Sequence, residues 1–104
     1  MHDTMKVLLI EDDASVRAGS AQALDLAGMQ VIDFHAAESA LAHVTPGFAG
    51  VVVTDVRLPG MNGLELMAAV HAIDAQLPVI LVTGHGDINM AVNAMRDGAY
   101  DFIA

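Results

Sequence analysis

The chain has 104 residues, a formal net charge of −9 at pH 7 and 55% hydrophobic residues. This length predicts one domain, and a charged fraction of only 16% argues against a disordered chain. Thirteen acidic residues against four basic ones repel a phosphate backbone, so we do not expect this segment to bind nucleic acid directly. The absence of cysteine excludes disulfides and thiolate metal sites. With no apolar run of membrane-spanning length and no secretory signal, we expect a cytoplasmic protein.

Short apolar runs alternate with stretches of helical periodicity along the chain. The apolar runs predict five strands, at residues 5–10, 30–34, 51–55, 78–82 and 100–103. The stretches between them predict four helices, at residues 15–27, 37–44, 64–73 and 87–96, with Asp87 as the N-cap of the last. Alternation at this spacing predicts βαβ units, and therefore a parallel sheet with right-handed crossovers.

Two of the predicted helices carry apolar residues spaced for one face. In the first helix they are Val16, Ala23, Leu24 and Ala27, and in the third Leu66, Met67, Val70 and Ile73.

The third predicted strand is an apolar, β-branched run that ends on Asp55, followed closely by Pro59-Gly60 and Asn62-Gly63. These dipeptides predict sharp turns. Open α/β sheets place their ligands at the carboxyl ends of the strands, which makes Asp55 a candidate site residue. Within this stretch alone, capping of the following turn explains Asp55 equally well.

Strands one, three and four end at Glu11-Asp12, Asp55 and Thr83, respectively. If these strands are neighbours, three carboxylates and a hydroxyl converge at one edge of the sheet. Carboxylates about 5 Å apart repel by roughly 3 kcal/mol at an effective dielectric constant near 20, which favours a divalent cation. Oxygen ligands without His or Cys select Mg²⁺ or Mn²⁺. The alternative for the acidic run 11–13 is N-capping of the first helix.

A carboxylate that faces Mg²⁺ suggests phosphoryl transfer with Asp55 as the nucleophile. The Thr83 hydroxyl and the Gly84 amide are candidate donors to phosphoryl oxygens. Gly84 also leaves room for a phosphoryl group to approach. Considered alone, Thr83 would be an ordinary hydroxyl at the end of a strand.

Four segments together resemble the receiver domain of two-component response regulators. They are LLIEDD at 8–13 followed by Arg17, TDVRLPGMNG at 54–63, LVTG at 81–84 and GAYDFI at 98–103. The resemblance implies a flavodoxin-like, doubly wound five-stranded parallel sheet of order 2-1-3-4-5. It also implies a phosphorelay in which a sensor histidine kinase phosphorylates Asp55 with Mg²⁺.

The resemblance further assigns metal ligands. It implies direct contacts from Asp12 and Asp55, a water-mediated contact from Glu11, and the backbone carbonyl of Arg57 as the third protein ligand. Many family members have Asp at the position of Glu11.

The resemblance also assigns switch residues. Thr83 matches the switch hydroxyl and Phe102 the aromatic switch position. The family's phosphate-pairing Lys, a Pro and a fifth helix would follow Ala104. We therefore expect residues 1–104 to be a receiver domain without its fifth helix.

Within this family, residues 85–92 most resemble receivers of the nitrogen-regulatory and C4-dicarboxylate-transport type. That type implies an output domain outside this chain, either a sigma-54-dependent ATPase, a helix-turn-helix, or both. It also implies homodimerisation on switching and transcription regulation. We expect no membrane partner and no enzymatic turnover beyond Mg²⁺-assisted self-phosphorylation and dephosphorylation.

Three other functions are consistent with parts of the sequence. A small Mg²⁺-dependent aspartyl-phosphate phosphatase would place a second Asp two residues after the nucleophile, where this chain has Arg57. A flavin module would need a hydroxyl-rich phosphate loop in place of the acidic run 11–13. A receiver-like interaction module that is never phosphorylated stays open.

Overall fold

The computed structural model describes residues 4–84 and 88–103, and Ile88 by its backbone alone. Strands and helices alternate along the described chain. They are β1 Lys6–Ile10, α1 Ala14–Leu26, β2 Gln30–Phe34, α2 Ala37–Leu41, β3 Gly50–Asp55, α3 Gly63–Ile73, β4 Val79–Val82, α4 Ile88–Arg96 and β5 Asp101–Ile103. All nine predicted elements are therefore confirmed. The proposed N-cap Asp87 lies outside the described residues.

The second helix is shorter than predicted, because it ends at Leu41 and not at Val44. The amides of His43 and Val44 donate to the carbonyls of Ala40 and Leu41, at 2.9 and 3.1 Å. These bonds span three residues and not four, so the chain tightens into turns at this point.

The five strands form one parallel sheet in the order β2-β1-β3-β4-β5. This confirms the flavodoxin-like topology. The chain moves from β1 outward to β2 and then crosses to β3 on the other side of β1. Right-handed crossovers therefore place α1 on one face of the sheet and α2, α3 and α4 on the other. The direction of winding reverses between β1 and β3, where folds of this class bind their ligands.

The main core lies between the sheet and helices α2, α3 and α4. Its strand residues are almost fully buried, and they are Leu8, Ile10, Val52, Val79 and Leu81. Leu66, Met67 and Val70, which share the predicted apolar face of α3, pack into this core. Ile73, the last residue of α3, is 38% exposed.

The opposite face is covered less completely. None of the 13 residues of α1, all of which are described, is buried, and Val16 is 52% exposed. Helix α1 packs mainly on β1 and β2. Val53 and Val82, on the neighbouring strands β3 and β4, remain only half-buried.

In the part of the chain that the structure describes, no helix has both the length and the apolar composition needed to cross a membrane.

Candidate functional site

Three carboxylates meet at the carboxyl edge of the sheet, beside the reversal between β1 and β3. Ile10 pairs with Thr54 in the β1–β3 register, so the next residues along the two strands are Glu11 and Asp55. Oxygen atoms from Glu11, Asp12 and Asp55 all lie within 4.8 Å of one another. The structure thus brings together the three side chains that the sequence predicted to converge.

The acidic run 11–13 serves two purposes. Asp13 is the N-cap of α1, and its Oδ1 accepts a hydrogen bond of 2.9 Å from the Val16 amide. Glu11 and Asp12 precede the cap and face Asp55. The helix-capping interpretation is correct for Asp13, while the other two carboxylates are left for the site.

The surroundings of Glu11 disfavour the ionised form of its carboxyl group. Burial of its carboxyl group, followed by the hydrogen bond and charge of Asp55, raises the pKa of Glu11 from 4.5 to about 7. The charges of Asp12 and Asp13 act in the same direction. At these separations a pair of charges repels by about 3 kcal/mol at an effective dielectric constant near 20. A hard cation with oxygen ligands would remove this repulsion, so the donor set fits Mg²⁺.

Hydrogen bonds from the neighbouring residues of the chain fix both the side chain and the backbone of Asp55. The Arg57 amide donates to Oδ1 of Asp55 at 3.2 Å. The Thr54 hydroxyl donates to the Asp55 carbonyl at 3.0 Å. The Arg57 side chain is exposed, and its backbone is close enough to Asp55 to contribute to the same site.

The start of α3 closes this loop with reciprocal caps. The Asn62 side chain accepts from the Glu65 amide at 2.8 Å, and the Glu65 side chain accepts from the Asn62 amide at 3.0 Å. This capping box starts α3 directly beside Asp55.

Glu38 makes a contact beside the site that sequence reasoning missed. Its Oε2 accepts a hydrogen bond of 3.4 Å from the Met61 amide. A Cβ added at Gly60, whose φ is +73°, would lie 2.8 Å from the same oxygen. Helix α2 therefore contacts the loop that follows Asp55. Glu38 and Met61 are 23 residues apart, and no local pattern marks such a contact.

Of the two predicted switch residues, Thr83 directly follows β4 and Phe102 lies on β5. Thr83 is 3% exposed, and its amide donates to the Ile103 carbonyl at 2.9 Å. Phe102 pairs with Leu81 across β4 and β5 and packs against the main core. Phe102 is thus one strand beyond Thr83 and two strands from Asp55.

Gly84 is open to solvent, and a Cβ there would meet nothing within 4 Å. It lines a cavity of about 560 Å³ together with Glu11, Asp55 and apolar residues of α1, β3 and β4. Asp12 and Arg57 line a second, more open depression of about 550 Å³. The acidic cluster therefore borders two depressions that are open to solvent.

Residues 7–104 match the family described as the response regulator receiver domain. The chain belongs to this family. The match covers every element of the sheet described above, so the resemblance seen in the sequence is confirmed.

Several relatives of this receiver domain are named as transcriptional regulatory proteins. It is 55% identical over 98 residues to the C4-dicarboxylate transport transcriptional regulatory protein DctD of Rhizobium meliloti (strain 1021), covering 94% of this chain and 21% of DctD. It is 42% identical over 103 residues to the transcriptional regulatory protein FixJ of Azorhizobium caulinodans, covering 99% of this chain and 49% of FixJ. The chain therefore spans half or less of the length of these relatives.

Solved receiver structures have the same fold. The crystal structure of FixJ-N superposes with a TM-score of 0.84 at 40% identity, covering 99% of this chain and 82% of that one. The Vibrio cholerae chemotaxis protein CheY4 superposes with a TM-score of 0.87 at 25% identity, covering 96% of this chain and 85% of that one. The five-stranded receiver fold is therefore shared across distant members of the family.

Proposed function

We propose that this receiver domain accepts a phosphoryl group on Asp55 from a sensor histidine kinase and so controls a transcription-regulating output domain. The observation that carries this proposal is the convergence of Glu11, Asp12 and Asp55 within 4.8 Å at the carboxyl edge of the sheet. Such a cluster is unfavourable unless a cation or an incoming group uses it. Membership of the receiver family supplies the reaction class.

Asp55 is the proposed nucleophile. One of its carboxylate oxygens attacks the phosphorus atom of a phosphohistidine, forming a P–O bond as the P–N bond breaks. The leaving imidazole takes up a proton, and Asp55 becomes a mixed anhydride. The Arg57 amide, which donates to Oδ1 of Asp55, orients the carboxylate for this attack.

Glu11, Asp12, Asp55 and the backbone carbonyl of Arg57 are the proposed Mg²⁺ ligands. The all-oxygen donor set supports this assignment. When bound, Mg²⁺ would neutralise negative charge on the transferring phosphoryl group.

Thr83, Gly84 and Phe102 are the proposed elements of the response. The Thr83 hydroxyl and the Gly84 amide would donate to phosphoryl oxygens on Asp55. Movement of Thr83 would then free space for Phe102 to turn inward on β5. The hydrogen bond from the Thr83 amide to Ile103, which joins β4 to β5, supports this coupling.

The proposed partners follow from the relatives. DctD and FixJ are named as transcriptional regulators and extend well beyond the matched region. We therefore propose an output domain outside these 104 residues, a cytoplasmic location shared with the kinase, and homodimerisation in the phosphorylated state. Turnover as a phosphatase is not proposed, because Arg57 occupies the position of the acid/base Asp in that alternative.

The test is labelling with acetyl phosphate, followed by intact mass measurement. Wild type should gain one phosphoryl group with Mg²⁺ and very little in EDTA, and the adduct should be lost in base. Asp55→Asn should not label, whereas Asp25→Asn, which changes an exposed carboxylate of α1, should label normally. Labelling of Asp55→Asn at the wild-type rate would show that another residue is the acceptor. Continuous release of phosphate from a phosphomonoester would instead favour the phosphatase alternative.

A further inference from the structure

Arg17 makes contacts that connect the acidic pocket to the second strand. Its Nη1 donates to the Glu11 carbonyl at 2.8 Å and lies 3.5 Å from the Asp12 carbonyl. Its Nε lies 3.6 Å from Oδ2 of Asp33, near the end of β2. The Arg17 side chain is 23% exposed. The Arg17 guanidinium thus contacts the backbone carbonyls of both Glu11 and Asp12, whose carboxylates face Asp55.

The backbone of Glu11 is fixed from two directions. Its amide donates to the Phe34 carbonyl at 3.0 Å, and its carbonyl accepts from Arg17. Asp12 follows directly, in the short connection to α1. Without Arg17, repulsion from Asp55 would push this connection outward, because no other described hydrogen bond holds the Glu11 carbonyl. Arg17 therefore opposes the separation of the three carboxylates.

Charge and geometry predict opposite effects of Arg17 on a cation in the pocket. A guanidinium beside the pocket repels Mg²⁺, so its removal would strengthen Mg²⁺ binding if charge alone mattered. If Arg17 instead holds the ligands in place, its removal would weaken binding. Loss of a group that orients metal ligands typically lowers metal affinity by about 10- to 100-fold. The sign of the change therefore distinguishes the two roles.

We propose that Arg17 is a positioning residue, which holds the main chain of Glu11 and Asp12 so that their side chains converge with Asp55 on the cation. This inference rests on the proposed Mg²⁺ site. It assigns to Arg17 a role that no carboxylate in the pocket can supply, because the bonds that matter are made to carbonyl oxygens.

The experiment compares Mg²⁺ dissociation constants by calorimetry for wild type, Arg17→Met and Arg17→Lys. Arg96→Met is the matched control, because it removes an exposed arginine at the end of α4, on the opposite edge of the sheet. We expect Arg17→Met to bind at least about tenfold more weakly than wild type. Arg17→Lys keeps the charge but loses the planar donor fork, so it should bind several-fold more weakly. Arg96→Met should bind as wild type does.

A second readout needs no metal. In EDTA, the amide resonances of Glu11, Asp12 and Asp13 should shift and broaden in Arg17→Met, while those of the main core stay in place. If Arg17→Met is poorly folded, Arg17→Lys provides the same test.

Equal or tighter Mg²⁺ binding by a folded Arg17→Met or Arg17→Lys would overturn the positioning role. A wild-type chain that binds no Mg²⁺ at millimolar concentration would overturn the proposed metal site itself. The two failures are therefore distinguishable.

Discussion

Gly63 lies directly against the backbone of Asp55. A Cβ added at Gly63 would overlap the Asp55 carbonyl oxygen and lie 3.0 Å from Cα of Val56. The Gly63 amide donates to the Val56 carbonyl at 3.0 Å, which holds the two segments together. The first residue of α3 thus has no side chain because the strand end that carries the proposed phosphoacceptor occupies that space.

We predict that Gly63→Ala destabilises the fold and displaces Asp55. Backbone cannot yield as a flexible side chain does, so the free energy of unfolding should fall by about 1–3 kcal/mol. Gly19→Ala in α1 is the matched control, because a Cβ there meets nothing within 4 Å. That variant should be neutral or more stable by up to about 1 kcal/mol. Urea denaturation measures both variants, and equal stabilities would contradict the close packing.

Mg²⁺ should stabilise the fold through the acidic pocket. At a hundredfold excess over its dissociation constant, Mg²⁺ adds about 2.7 kcal/mol to the free energy of unfolding. Asp55→Asn should reduce this gain, and it should raise the metal-free melting temperature because it removes a repelling charge. Asp25→Asn should change neither quantity. Thermal melts in Mg²⁺ and in EDTA test this prediction. A wild-type melting temperature that is the same in both would argue against the metal site.

The pKa of Glu11 predicts a pH dependence with a definite sign. Because burial and Asp55 raise this pKa from 4.5 to about 7, the folded state binds more protons than the unfolded state between these values. The contribution of Glu11 to stability is therefore present at low pH and is lost as the pH rises through this window. Mg²⁺ binding needs the ionised carboxylate, so Mg²⁺ affinity should rise over the same window with release of a proton.

Glu11→Gln isolates this effect from the other carboxylates. In EDTA, the stability of wild type relative to Glu11→Gln should decline as the pH rises from about 4.5 to about 7. Parallel stability curves for the two proteins would show that Glu11 titrates normally.

The strand ends were predictable from the sequence, whereas the contacts that organise them were not. Asp55 directly follows a β-branched run, and parallel strands end at a common edge, so its convergence with Glu11 and Asp12 could be predicted. The contacts of Arg17 could not, because their acceptors are backbone carbonyls, which every residue has. The contact of Glu38 with the loop after β3 depends on how α2 packs, and no local pattern records it.

The sequence predicts where the helices form better than it predicts how deeply they are buried. The spacing of Val16, Ala23, Leu24 and Ala27 identifies an apolar helical face, and α1 does form. Whether such a face is buried depends on what else covers the same side of the sheet. Periodicity carries no information about that, and Val16 is half exposed.

Thr83 should be required for transmission of the signal and not for phosphorylation. After acetyl phosphate treatment, Thr83→Ala should carry the phosphoryl group but show smaller amide shifts in α4 and β5 than wild type. Thr83→Ser retains the hydroxyl group and should restore the shifts. Nuclear magnetic resonance of the three proteins provides the measurement, and identical shifts in Thr83→Ala and wild type would remove Thr83 from the switch.

The half-covered face of the sheet should make this 104-residue chain self-associate. Val16, Val53 and Val82 line an apolar cavity on the α1 side, and Ile103 at the last described position is 49% exposed. Covering about 200 Å² of such surface contributes about 5 kcal/mol at about 25 cal/mol per Å². Association also costs several kcal/mol in lost translational and rotational freedom, so we expect a second copy to cover a larger part of this face than the cavity alone.

Sedimentation at several protein concentrations tests this association. Val16→Asp places a charge inside the cavity and should shift the protein to monomer at concentrations where wild type is dimeric. Leu26→Asp makes the same charge change at an α1 residue that is 79% exposed and does not line the cavity, so it should leave the association intact. A wild-type chain that stays monomeric throughout, or equal dissociation by both variants, would show that this face does not drive association. If Val16→Asp dissociates the dimer and Leu26→Asp does not, the dimer contact lies over the cavity that Glu11 and Asp55 also line. In that case, phosphorylation of Asp55 should change the strength of self-association.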